Sequence, residues 1–205
     1  MLRRALRIRK PVFLPILVGV VLALASVSPA LAAPSAAEAL TPPPPDIYTC
    51  SPVGGGTICR AHTVEPYEGE STGIMCGSGS SAVEILDNGI RDVHATRWYD
   101  GDGNLTRRFR AFLFRDAYLS NPATRRTLPY SQKNNDTDEL AVPGDFASAS
   151  LSSSGHLSIT APGLGTVWVD TGHIEVSSEG DVLARSGVTR LDADAVCAAL
   201  GSPNG

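Results

Sequence analysis

Four histidines, His62, His94, His156 and His173, are the side chains best suited to move protons near neutral pH. They stand one to a segment with no His-x-His pair, so a shared site depends on neighbours that only the fold can supply. His94 and His173 fall within long strand-like runs and are the first two to inspect. Serine hydrolysis would call for a Gly-x-Ser-x-Gly elbow. Cys76-Gly-Ser-Gly-Ser-Ser81 has glycines but neither that frame nor a helix behind it, and reads as a flexible link. A zinc site would use paired ligands at short spacing, such as two Cys-x-x-Cys pairs, which this sequence does not contain; no metal is expected. Asp100-Gly-Asp102-Gly-Asn104 opens like a calcium loop, but Leu105 and Ala111 stand where that loop needs Gly and a bidentate Glu, so the segment reads as a hairpin turn. Nothing resembles a cofactor fingerprint, and no cofactor is expected.

Two further groups could bind rather than react. Arg107, Arg108 and Arg110, with Arg97 across a hairpin, could converge on a carboxylate or phosphate through their planar donor forks. The alternative is a solvated rim whose arginines pair with Asp or Glu on the next strand. Trp98, Phe112, Phe114 and Trp168 are candidates to line an interior ligand cavity, the alternative being plain core.

The elements that must hold these residues are strands. Turn clusters recur at Asp87-Asn88-Gly89, Asp100 to Asn104, Ser120-Asn-Pro122, Pro143-Gly-Asp145, Ser153-Ser-Gly155, Ala161-Pro-Gly163 and Ser178 to Asp181. Strands are expected between them, at 57–63, 82–86, 91–99, 106–119, 127–134, 147–151, 157–160, 166–176 and 182–186. In the longest, Leu105, Phe109, Ala111, Leu113, Ala117 and Leu119 share a face taken as core. Arg108, Arg110, Asp116 and Tyr118 fall on the other with Phe112 and Phe114. About eight strands on short loops predict an all-β fold, an antiparallel barrel or, as the alternative, a two-sheet sandwich. Leu191 to Leu200 reads as a short C-terminal helix with Asp192 as N-cap and Gly201 and Pro203 as stop signals.

The start of the chain has the three parts of a secretory signal. Basic residues from Arg3 to Lys10 precede an apolar run from Val12 to Ala25 and a small-x-small close at Ala32, which predicts a signal peptide over residues 1–32. A Pro-rich tether is expected over 33–46, and a single β domain over 47–205. Five of the 17 basic residues and none of the 21 acidic ones lie in the signal, so the remainder carries 12 against 21, a net −9. That balance excludes nucleic acid as a partner, and no membrane span is expected after cleavage. The protein is expected outside the cell, where Cys50, Cys59, Cys76 and Cys197 should form two disulfides. Of the three connectivities, the favoured one pairs Cys50 with Cys59 around Gly54-Gly55-Gly56 and leaves Cys76 for Cys197.

From about Cys50 to Leu200 the order of features resembles a family of uncharacterised secreted actinomycete proteins. The residues that carry the likeness are Thr57-Ile-Cys-Arg60, Tyr99 to Arg107, Ser120-Asn-Pro-Ala-Thr124 followed by Pro129-Tyr130, Ala141-Val-Pro-Gly-Asp145, Ala161-Pro-Gly163 and Ala195 to Leu200. The resemblance implies secretion and a β fold and brings no catalytic residue with it. The expected function is a secreted, non-catalytic barrel that binds a small apolar or amphipathic molecule inside, or an extracellular partner on its rim. The alternatives are an extracellular isomerase or hydrolase with its site in the barrel mouth, and a cell-surface structural protein.

Overall fold

Tight turns built on Gly, Asp and Asn fold the chain back on itself repeatedly. At the turn after Tyr99, Asp100 Oδ1 accepts from the amides of Asp102 and Asn104, and Gly103 supplies the positive φ. The computed structural model describes residues 40–201, which lie within one compact unit. The expected signal peptide and the first part of the tether lie outside the described residues.

Eight strands follow in order: β1 (Thr49–Val53), β2 (Gly56–Cys76), β3 (Val83–Tyr99), β4 (Leu105–Ser120), β5 (Thr127–Leu140), β6 (Ala149–Ala161), β7 (Gly165–Val176) and β8 (Val182–Leu191). They form one antiparallel meander in which each strand pairs with its neighbours in sequence. The sheet is single, not the two sheets of a sandwich, and no ladder joins β8 to β1 among the described residues. The helix α1 (Ala193–Ala199) closes the chain, capped by Asp192, whose side chain accepts from the Ala195 amide at 3.0 Å.

Beyond β1, which the turn pattern does not predict, and β5 and β8, which run longer than expected, three segments expected outside strands lie within them. Residues 64–76 belong to β2 although Pro66, Gly69 and Gly73 look like breakers: Pro66 keeps its register opposite Ile90, and register shifts after Tyr67 and Ser71 absorb the two glycines. Asp87-Asn88-Gly89 and Ser153-Ser154-Gly155 lie inside β3 and β6, not at turns. Asn88 explains the first: its side chain accepts from the Gly69 amide and donates to Ser120 Oγ, knitting β2, β3 and β4 at an irregularity in the ladder.

The facing of β4 also differs from a strict period of two. Leu113, expected in the core, is 49% exposed, while Arg108, Arg110, Phe112 and Phe114 share a face with Tyr130 of β5 through their register partners. Shifts at Trp98/Tyr99 and between Phe114 and Tyr118, where Asp116 has φ +50°, change the phase twice. Leu105 and Leu119 therefore reach the same inner side as Phe112 and Phe114, despite their odd numbers.

Two dry clusters hold the ends of this inner face. At one end Val196, Cys197 and Leu200 of the helical segment pack with Ile74, Ile85, Leu119, Ile159 and Val167. The disulfide Cys76–Cys197 ties α1 back to β2, six strands from the β8 that precedes it, so the sheet curls around the helix. At the other end Leu40, Cys59, Tyr99, Leu105 and Leu140 form a second cluster beside the Cys50–Cys59 disulfide. The described part of the expected tether is docked there: Leu40 is buried, and Thr41 exchanges backbone hydrogen bonds with Gly103 and Leu105.

Between the clusters the inner face is polar and tied by side chains. Tyr67 on β2 and Tyr130 on β5 stand three strand spacings apart, ~14 Å on a flat sheet, yet their hydroxyls meet at 3.0 Å. Tyr130 donates to Asp87 Oδ1 at 2.7 Å, and the Tyr67 proton is shared between that oxygen, at 3.3 Å, and the Tyr130 hydroxyl. Arg91, ion-paired with Glu70, lies 4.3 Å over the Tyr67 ring, and Phe114 meets that ring edge-on.

Burial pushes the Tyr67 phenol up to about 12 and raises Tyr130 as well, in the latter case with the hydrogen bonds to Tyr67 and Asp87 adding to burial. Burial also raises Asp87, against the lowering effect of the phenol that donates to it from Tyr130. A phenol whose ionisation is suppressed by folding stabilises the fold fully below its unfolded value of about 10. That stability is lost as pH rises through the folded value. In an ultraviolet titration of the five tyrosines, two should therefore stay protonated until about pH 12 or until the protein unfolds. The Tyr67→Phe/Tyr130→Phe protein should lack this late step, and its persistence would refute the assignment. Removing the long-range cross-link as Cys76→Ala/Cys197→Ala should cost ~3–5 kcal/mol in urea unfolding. A loss under ~1 kcal/mol would mean that packing alone keeps α1 docked.

Candidate functional site

The inner face continues past Tyr130 onto β6, β7 and β8, where its character changes. Register aligns Asn134, Gly155, Gly172 and Gly187 in a single row across four strands. A Cβ on Gly172 would strike the Ser186 carbonyl oxygen, and one on Gly187, whose φ is +120°, the Thr171 carbonyl oxygen. The backbones approach too closely at Gly172 and Gly187 for any side chain, and these two form the bare floor of a groove, while at Gly155 the Asn134 amide occupies the place of a Cβ. The groove has a volume of about 630 Å³.

Gln132 and Asn134 of β5 form one bank of the groove, and Asp170, Arg185 and Thr189 of β7 and β8 the other. The second bank is preorganised. Thr189 Oγ1 donates to Asp170 Oδ1 at 2.7 Å and accepts from Arg185 Nη2 at 3.2 Å. Leu157 and Ile174 add two apolar patches to the wall. The backbones of His156 and His173 also border the groove, but strand alternation sends both side chains to the opposite face.

The aromatic residues expected to line a cavity are placed otherwise. Phe112 and Phe114 are on the inner face as partners of Asn134 and Gln132, one strand away from the groove. Trp168 is also on that face but packs against the helix-end cluster. Trp98 is on the outer face beneath Arg107, whose guanidinium carbon lies 5.1 Å from the indole. None of the four lines the groove.

The arginines do not converge on a common anion site. Arg107, Arg108 and Arg110 each pair across the β4–β5 ladder, with Glu139 at 2.9 Å, Asp138 at 2.6 Å and Asp136 at 3.1 Å. Arg97 is buried and stacks near Tyr48 and Phe146, with its guanidinium donating to the Pro43 carbonyl at 3.4 Å. Cross-strand pairing explains the first three, and clamping of the docked segment explains the last.

The four histidines divide into three settings. His173 pairs with Glu175 on its own strand at 3.1 Å. His62 and His94, direct partners across β2 and β3, stack on the outer face with ring centroids 4.2 Å apart and planes 7° from parallel. Asp92, two residues from His94 and so on the same face, contacts both: Oδ1 is 2.7 Å from His62 Nε2 and 3.6 Å from His94 Nε2. The hydrogen bond from His62, helped by the charge of Arg115, holds the Asp92 carboxyl below the usual carboxylate range. His156 has no hydrogen bond or ion pair from its side chain to another described residue.

Sequence reasoning missed both of these arrangements. Asp92-Val-His94 does place two donors on one face, a signal open to reading, but the third donor comes from a strand whose register only the fold reveals. The glycines at 155, 172 and 187 were visible, although their alignment was not. In comparisons with known proteins the chain matches no family model, no curated protein and no solved structure.

Proposed function

We propose that this is a secreted, non-catalytic binding protein whose groove holds a small hydroxyl-rich ligand of the saccharide type. One observation carries the reading: a bare floor at Gly172 and Gly187 lies between an amide bank, whose Asn134 rests over Gly155, and a prearranged Asp170–Thr189–Arg185 chain. A bare floor lets a ring lie flat against backbone. Gln132 and Asn134 each offer both a donor and an acceptor, the combination that suits hydroxyl groups, which also do both. Leu157 and Ile174 supply the apolar contacts that the C–H faces of a sugar require. A volume of about 630 Å³ falls within the ordinary range for small-molecule sites.

This ligand is more polar than the apolar or amphipathic molecule that the sequence suggested, because the aromatic residues lie outside the groove. Among the described residues that line the groove no carboxylate is paired with a histidine, which favours binding over catalysis there. Asp170 is the one carboxylate among the lining residues, and it is engaged by Thr189. Secretion is supported by the tripartite start of the chain and by its two disulfides. Kinship with the secreted actinomycete proteins rests on the shared turn segments.

Thermal-shift and NMR titration of the full chain against a panel of mono- and oligosaccharides tests the proposal. At least one saccharide should stabilise the protein, by ~2.7 kcal/mol at one hundred times its Kd. Asn134→Ala and Arg185→Ala should each weaken binding tenfold or more. A panel without a binder, or binding that both substitutions leave intact, would sink the groove as the site.

A further inference from the structure

We infer that His62, Asp92 and His94 form a binding site for a late first-row divalent cation on the outer face of the β2–β3 hairpin. The three candidate donor atoms lie within 4.8 Å of one another. Zinc is bound at 2.0–2.1 Å by imidazole nitrogen and carboxylate oxygen, so two donors of a tetrahedral centre stand ~3.3 Å apart. The spacings from Asp92 Oδ1, 2.7 Å to His62 and 3.6 Å to His94, bracket that value. Small rotations of exposed side chains would bring the set to bonding geometry, and these side chains are free to make them: His62 is 52% exposed and His94 67%.

The surroundings are those of a held ligand set. Arg115 Nη2 engages the other carboxylate oxygen of Asp92 at 3.2 Å, which fixes the group and leaves Oδ1 directed at the imidazoles. The backbone positions come from a regular stretch of ladder, His62 opposite His94 and Val64 opposite Asp92, so the donors stand on rigid strands rather than on a loop. Ala111, the partner of His94 on β4, adds no bulk beside the rings. Two imidazoles and one carboxylate suit zinc, copper or nickel and not calcium or magnesium, which prefer oxygen alone. Three protein donors leave the remaining position to water. The site lies on the face opposite the groove and is independent of any ligand there.

Isothermal titration of Zn²⁺ alone into chelator-treated full chain tests this. One equivalent should bind, with affinity falling at least tenfold in Asp92→Asn and in His94→Ala, while His156→Ala/His173→Ala binds as the parent does. Circular dichroism should be unchanged in every variant, since His62 and His94 are exposed and Asp92, His156 and His173 lie outside both core clusters. No saturable binding of Zn²⁺, or one equivalent still bound by His62→Ala/His94→Ala, would overturn the assignment.

Discussion

A single sheet has two faces and needs something to lie against, and here that something is supplied mainly by the sheet itself. The contact on which this depends is the meeting of Tyr67, Tyr130 and Asp87 across the hollow. Hydrogen bonds among three partly buried polar groups are weak bricks individually. Leaving any one of them unmatched would cost more than the bond contributes, which makes the arrangement a strict selector of curvature. The same logic runs along the inner face, where Arg108 with Asp138 and Arg110 with Asp136 pair charges that are wholly or partly withdrawn from water.

Turn chemistry and the helix cap were legible because they are local. Asp100 to Asn104 reverses the chain through its own side chain and glycine, and Asp192 caps α1 from one residue before it. The cysteine pairing followed from a glycine-rich spacer short enough to fold back, which left one partner for Cys76. Longer-range facts were lost where the ladder slips. Bulges around Phe114 and Asp116 exchanged the faces of β4, so residues counted as core by alternation, Leu113 above all, came out in solvent. Glycine was the most misleading letter: at 155 it marks neither a turn nor a flexible joint but a place inside β6 where the Asn134 amide lies over the strand.

The candidate sites show the same divide. A face assignment for Asp92 and His94 needs only their separation of two, whereas placing His62 beside them needs the β2–β3 register. The groove needs three registers at once, and each of its polar residues looks ordinary in sequence: two amides on β5, an aspartate on β7, an arginine and a threonine on β8. The aromatic residues, which do stand out by type, serve packing and cation–π stacking instead.

The division of the protein into two dry ends and a polar middle bears on how such a molecule can change over time. Most of the hydrophobic free energy resides in the cluster around α1 and the one around Leu40, Tyr99 and Leu105. The stretch from Gln132 across to Thr189 carries little of it. Substitutions there leave the dry ends untouched and so are spared the usual conflict between a new surface and a stable fold. The architecture therefore works as a chassis, clamped at its ends, on which a recognition surface can be rewritten one strand position at a time.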